Sequence, residues 1–96
     1  MRKYAECEVV GMEVVRGENQ VTKKAYTIVK LHCTYTLPYD GSDRYEGEGV
    51  LTATCSKAEA DNDKLGIGSL IQCVEAYENG YRRIEYFGKV GTAGVF

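Results

Sequence analysis

Residues 23–36 read Lys-Lys-Ala-Tyr-Thr-Ile-Val-Lys-Leu-His-Cys-Thr-Tyr-Thr, and their alternation decides the fold class. Successive side chains of an extended strand point to opposite faces. One face carries Val29, Leu31, Cys33 and Tyr35, an apolar set suited to a core. The other carries Tyr26, Ile28, Lys30, His32 and Thr34, with Lys23 and Lys24 just before it. A ring, an aliphatic, a cation and an imidazole on one strand face make a surface on which unpaired bases can stack while their phosphates are neutralised.

Upstream, Tyr4 to Val15 reads as a first strand. Ala5, Cys7 and Val9 share one parity, and Met12 and Val14 share the other. A parity change at Val10-Gly11 is the signature of a β-bulge, which adds a residue and bends the strand. Bent first strands serve small closed barrels, where one strand joins two sheets. Arg16 to Gln20 reads as a loop leading into the second strand, which Pro38 ends.

Tyr39 to Gly49 is turn-rich and acidic. Val50 to Cys55 reads as a third strand with Leu51, Ala53 and Cys55 inward. Ser56 caps a short helix over Lys57–Asp61, with Glu59 at the capping-box position. A fourth strand runs from Leu70 to Tyr77. Asn79-Gly80 is the strongest hairpin signal in the chain. Tyr81 to Gly88 is a fifth strand, and residues 91–96 form a glycine-rich tail. The expected fold is all-β: a five-stranded OB-fold-like barrel over residues 1–90, with one short helix between strands 3 and 4. An SH3-like barrel and a sandwich-like meander are the competing architectures.

Ninety-six residues make one domain with a small core. No apolar run approaches the roughly 20 residues that span a bilayer, and no apolar stretch follows the basic Arg2-Lys3, so a cytoplasmic protein is expected. Net charge is −2, which argues against bulk attraction to nucleic acid. Its distribution is uneven: +3 over residues 16–35 and −5 over residues 36–63. A bipolar molecule can bind an anion through its positive side.

Cys7, Cys33, Cys55 and Cys73 form no C-x-x-C pair, and His32 is the only histidine. Zinc sites bring ligands in close pairs on turns. These cysteines fall in strands and read as small buried thiols, with disulfides or metal the lesser alternatives. No metal or cofactor is expected. No nucleophile or phosphate-loop motif is present, and His32 and Cys33 point to opposite strand faces, so no enzyme is expected.

Eight tyrosines without tryptophan remain to be placed. Tyr35 and Tyr86 fall on inward faces. Tyr26 is either a half-buried strand residue or a stacking platform. Tyr39, Tyr45 and Tyr81 fall in loops or at a hairpin. OB-folds bind ligands on strands 2 and 3, flanked by the loops joining strands 1–2 and 4–5. Arg16, Lys23 and Lys24 border the first of those loops; Tyr81, Arg82 and Arg83 border the second.

The run Lys24-Ala-Tyr26-Thr-Ile28 through Leu31-His-Cys33-Thr-Tyr35 resembles the lysine-x-tyrosine strand of the filamentous-phage gene V proteins, small OB-like homodimers that coat single-stranded DNA. Gly68-Ser-Leu-Ile and the closing Ile84-Glu-Tyr-Phe strand fit the same layout, and the likeness spans roughly residues 14–90. The resemblance implies that Tyr26 stacks on a base with Ile28 beside it. It implies that Arg16 and Lys24 touch phosphates, and that Tyr81 offers a second ring, to DNA held by a neighbouring subunit. This chain departs from the family in its acidity, its longer connection before strand 3, its short helix and its tail.

The expected function is therefore low-specificity binding of single-stranded DNA, in a homodimer from a phage, plasmid or other mobile element. Its site residues are Arg16, Lys23, Lys24, Tyr26, Ile28, Lys30, His32, Tyr81, Arg82 and Arg83. RNA is open as a ligand, because stacking platforms do not distinguish the sugars. The other class is a β-barrel protein-interaction module, using an apolar surface of Ile28, Phe87, Val95 and Phe96.

Overall fold

The first strand bends where the parity changes. In the computed structural model, which describes residues 3–36 and 48–93, β1 (Lys3–Glu18) pairs antiparallel with β2 (Ala25–Thr36). Val9 lies opposite Cys33 and Gly11 opposite His32, so Val10 is the extra residue. A second irregularity falls between Tyr4 and Cys7, where β1 pairs with β4 (Ser69–Glu78). It places Tyr4 inside with Cys7 and Val9 and leaves Ala5 exposed. Ala5, which shares the sequence parity of Cys7 and Val9, therefore does not share their face, because one inserted residue reverses every side chain before it.

Three further elements complete the chain: β3 (Glu48–Ser56), α1 (Lys57–Asn62) and β5 (Tyr81–Thr92). The strands close in the order β1-β2-β3-β5-β4, with β4 returning to β1. The closing seam is short and parallel: Ala53 opposite Ile84 and Thr54 opposite Glu85. This strand order, with the helix between β3 and β4, is that of a five-stranded OB-fold-like barrel. No helix among the described residues is long and apolar enough to cross a membrane.

Small and branched side chains fill the barrel. Cys7, Val9, Leu31, Ala53, Ile71 and Cys73 are fully buried, with Val29 and Cys33 nearly so. Tyr35 and Leu51 are partly buried against this core, and Tyr86 and Cys55 complete the inward sets of their strands. Burial of an aliphatic side chain such as Leu31 contributes about 1.5–3 kcal/mol.

The capping box forms as its residues require. Ser56 Oγ accepts from Glu59 N at 3.1 Å, and Glu59 Oε1 accepts from Ser56 N at 3.2 Å. Asp63, at the C-terminal cap, accepts the Tyr86 hydroxyl and ties the helix to the barrel floor. Burial, reinforced by Asp63, pushes the Tyr86 phenol upward. Asn79 and Gly80 both take positive φ, 52° and 81°, as a two-residue type I′ hairpin demands. β5 continues to Thr92, which pairs with Ser69, so the barrel reaches into the segment read as a tail. Pro38, Tyr39, Tyr45, Val95 and Phe96 lie outside the described residues.

All four cysteines are free, buried thiols. Hydrogen bonds to Cys33 and Cys7, with burial, hold Cys73 protonated. Burial, with Glu59 and Asp63 adding negative charge, raises Cys55 from 9.0 to about 11. The unfolded chain loses the Cys55 proton first, so the stability it contributes is complete below the unfolded value near 9.0 and lost as pH rises through about 11. Urea midpoints should therefore fall across that window, and Cys55→Ala should flatten part of the decline.

Candidate nucleic-acid interface

Register assembles the outer face of β2 with its neighbours. From one end to the other, β2 presents Tyr26, Ile28, Lys30, His32 and Thr34. On β1 these stand opposite Gly17, Val15, Glu13, Gly11 and Glu8. On β3, Ile28, Lys30, His32 and Thr34 stand opposite Ser56, Thr54, Thr52 and Val50. The surface is a central β2 row flanked by a hydroxyl row on β3 and a β1 row containing two carboxylates.

Tyr26 faces outward, 46% exposed. β3 pairing starts at Ile28 and β4 pairing stops at Glu8, so Arg16–Glu18 and Ala25–Thr27 form a two-stranded ribbon beyond the barrel. There the Tyr26 ring lies across Gly17: a Cβ on Gly17 would come within 2.4 Å of the tyrosine Oη. The glycine lets the ring lie close against the β1 backbone while nearly half of the residue stays exposed. Tyr35 lies across Gly49 in the same way, at 2.5 Å, but its ring also packs on Tyr4 with centroids 4.9 Å apart. The two glycines should respond differently to substitution. Gly49→Ala, with no free path for the ring, should cost about 1–3 kcal/mol. Gly17→Ala should change stability by less than about 0.5 kcal/mol while displacing Tyr26. Urea unfolding of both variants checks the contrast.

Ile28 is half-buried on the wall of a 530 Å³ cleft, which Thr54, Ser56, Glu59, Arg83 and Glu85 also line. The cleft lies at the β3–β5 seam and brings Arg83 beside the β2 row. His32 binds both flanking strands: Nδ1 is 2.9 Å from Thr52 Oγ1, and Nε2 is 3.0 Å from Glu13 Oε1. A second hollow of 360 Å³ opens beside it, lined by Val10, Val50 and Leu51 among others.

The cations divide into two groups. Lys23, Lys24, Lys30 and Arg16 make no ion pair with a described residue. Lys23 and Lys24 close the β1–β2 hairpin, where Asn19 holds the turn through its side-chain oxygen on Val21 N and Thr22 N, at 2.9 and 3.0 Å. Arg16 is a strand residue and not part of the loop. It stands opposite Thr27, on the side of the ribbon away from Tyr26.

At the other hairpin the cations already have partners. Arg83 lies 2.9 Å from Glu78 and 2.6 Å from Glu85. Arg82 turns toward the buried Glu75, at 3.8 Å. Glu75 also accepts the Tyr77 hydroxyl, which holds that phenol above its ordinary range. Tyr81 is 80% exposed at the hairpin.

The structure thus brings Tyr26, Ile28, Lys30 and His32 together, with Arg83 across the cleft and Lys23 and Lys24 at the ribbon end. It sets Arg16 and Arg82 apart from them. Thr52, Thr54, Glu8 and Glu13 join the face without having been singled out in the sequence. The two threonines follow from the inward set of β3, whereas Glu13 needs the register that the Val10 bulge imposes. No family model, curated protein or solved structure matches this chain.

Proposed function

We propose that this barrel binds single-stranded DNA with little sequence preference, on the outer face of β2 and β3. The observation that carries the reading is the outward row Tyr26–Ile28–Lys30–His32, on the strand that OB-fold proteins use for oligonucleotides. Tyr26 offers a ring for stacking, Ile28 an apolar neighbour, and Thr52 and Thr54 hydroxyls for sugar or base edges. Lys23, Lys24 and Lys30 meet the phosphates. The likeness to gene V proteins favours DNA, a homodimeric assembly and an origin in a phage, plasmid or other mobile element.

Titrating an oligo-dT into the protein at low and moderate salt, with tyrosine fluorescence as the readout, tests the proposal. Three lysine–phosphate contacts give a slope of about −2 in log K against log salt for a single strand. Quenching that weakens with that slope agrees with the reading, and unchanged fluorescence at low salt removes it.

One observation favours the second reading, a protein-interaction module. Among the described residues β5 pairs with β3 only at Ile84 and Glu85, which leaves its later edge without a described partner strand beside Phe87, 63% exposed. The Lys3 ammonium lies 5.9 Å from the Phe87 ring centroid. Sheet edges of this kind accept a partner strand. A protein that ignores oligo-dT yet forms a stable complex through β5 would fit this second role.

A further inference from the structure

Histidine is the side chain that changes charge most readily between about pH 5 and pH 8; His32 is the only histidine, and both its ring nitrogens are engaged. A carboxylate only accepts, so Nε2 carries a hydrogen toward Glu13. In the neutral ring Nδ1 then accepts from the Thr52 hydroxyl. That hydroxyl can turn and accept instead, so the ring gains a second proton without losing either contact.

Among the described residues the charged groups around the ring are few. β1 supplies Glu13 and, beside Thr34, Glu8; the Gly11 backbone lies against the ring. β3 supplies only the uncharged Val50, Thr52 and Thr54. β2 itself supplies Lys30, which stands opposite Glu13. Protonation changes the His32–Glu13 pair from a net negative charge to a neutral pair. A phosphate approaching Lys30 meets that change directly.

We propose that binding of a single-stranded DNA backbone on this face is coupled to uptake of one proton by His32, so that the site tightens as pH falls through neutrality. The proposal rests on the reading of this face as a DNA site. Bound phosphate favours the charged ring, and by linkage the charged ring favours bound phosphate.

The test is fluorescence anisotropy of a labelled dT oligomer, about fifteen nucleotides long, at fixed low salt between about pH 8 and about pH 6. Wild-type affinity should rise toward low pH by at most about tenfold per pH unit, the limit for one proton. His32→Gln keeps hydrogen-bonding groups toward Thr52 and Glu13 but does not titrate, and its affinity should be flat. Glu13→Gln should bind more tightly than wild type at about pH 8.

His32 is the only histidine, so its ring protons give a single proton-NMR titration curve. Saturating oligomer should displace that midpoint upward. Equal midpoints with and without oligomer overturn the coupling, whatever the variants do. Wild-type binding that does not vary with pH overturns the coupling and leaves the DNA face standing. No binding at either pH overturns both.

Discussion

Leu31→Ala should lower the unfolding free energy by about 2–5 kcal/mol. Leu31 is completely buried on the inward face of β2, opposite Met12 on β1 and Ala53 on β3. Its neighbours cannot close the gap, because the strands around it are fixed by ladder pairing on both sides. A barrel of this size has little reserve, and each kcal/mol lowers Tm by roughly 4–8 °C. Thermal unfolding followed by far-ultraviolet circular dichroism checks the loss. A Tm change of a degree or less would mean that the β2 register is wrong, and with it the outward placement of Tyr26.

Tyr26→Ala should weaken binding of oligo-dT by about 1–3 kcal/mol, about five- to 140-fold. The ring is half-exposed and supported by Gly17 rather than by the core. Losing that cross-strand contact costs only about 0.2–1 kcal/mol of stability. A large loss of affinity with a small loss of stability distinguishes a platform from a core residue. Tyr35→Ala is the internal comparison. Its ring packs on Tyr4 and the core, so it should lose stability first.

Much of the fold was legible in local patterns. The alternation over 23–36, the parity change at Val10, the Ser56–Glu59 capping box and the Asn79-Gly80 turn each have a short-range cause, and each appears in place. What escaped the sequence depends on contacts between strands. The irregularity between Tyr4 and Cys7 moved Ala5 outward, and no alternation signal marks it. β1 runs on through Arg16 because β2 pairs with it there, which turns Arg16 away from Tyr26.

The site was legible to the same degree. Residues on one strand could be grouped by parity, so the β2 row was found whole. Their partners could not be found in that way. Glu13 reaches His32 from another strand, and Glu75, Glu78 and Glu85 engage Arg82 and Arg83 through a hairpin whose pairing had first to be known. The cations flanking the hairpins therefore looked equivalent in sequence. In the structure Arg16, Lys23 and Lys24 have no ion-pair partner among the described residues, whereas Arg82 and Arg83 do, and Arg16 faces away from Tyr26.

The most direct measurement of the central claim is amide chemical-shift mapping of the isotope-labelled protein as a dT oligomer is added at low salt. The account predicts that the changes concentrate on Tyr26 through His32 of β2, on Thr52 and Thr54 of β3, and on Lys23 and Lys24 at the ribbon end. Changes confined to β4 and the later edge of β5, or no changes at all, would contradict it.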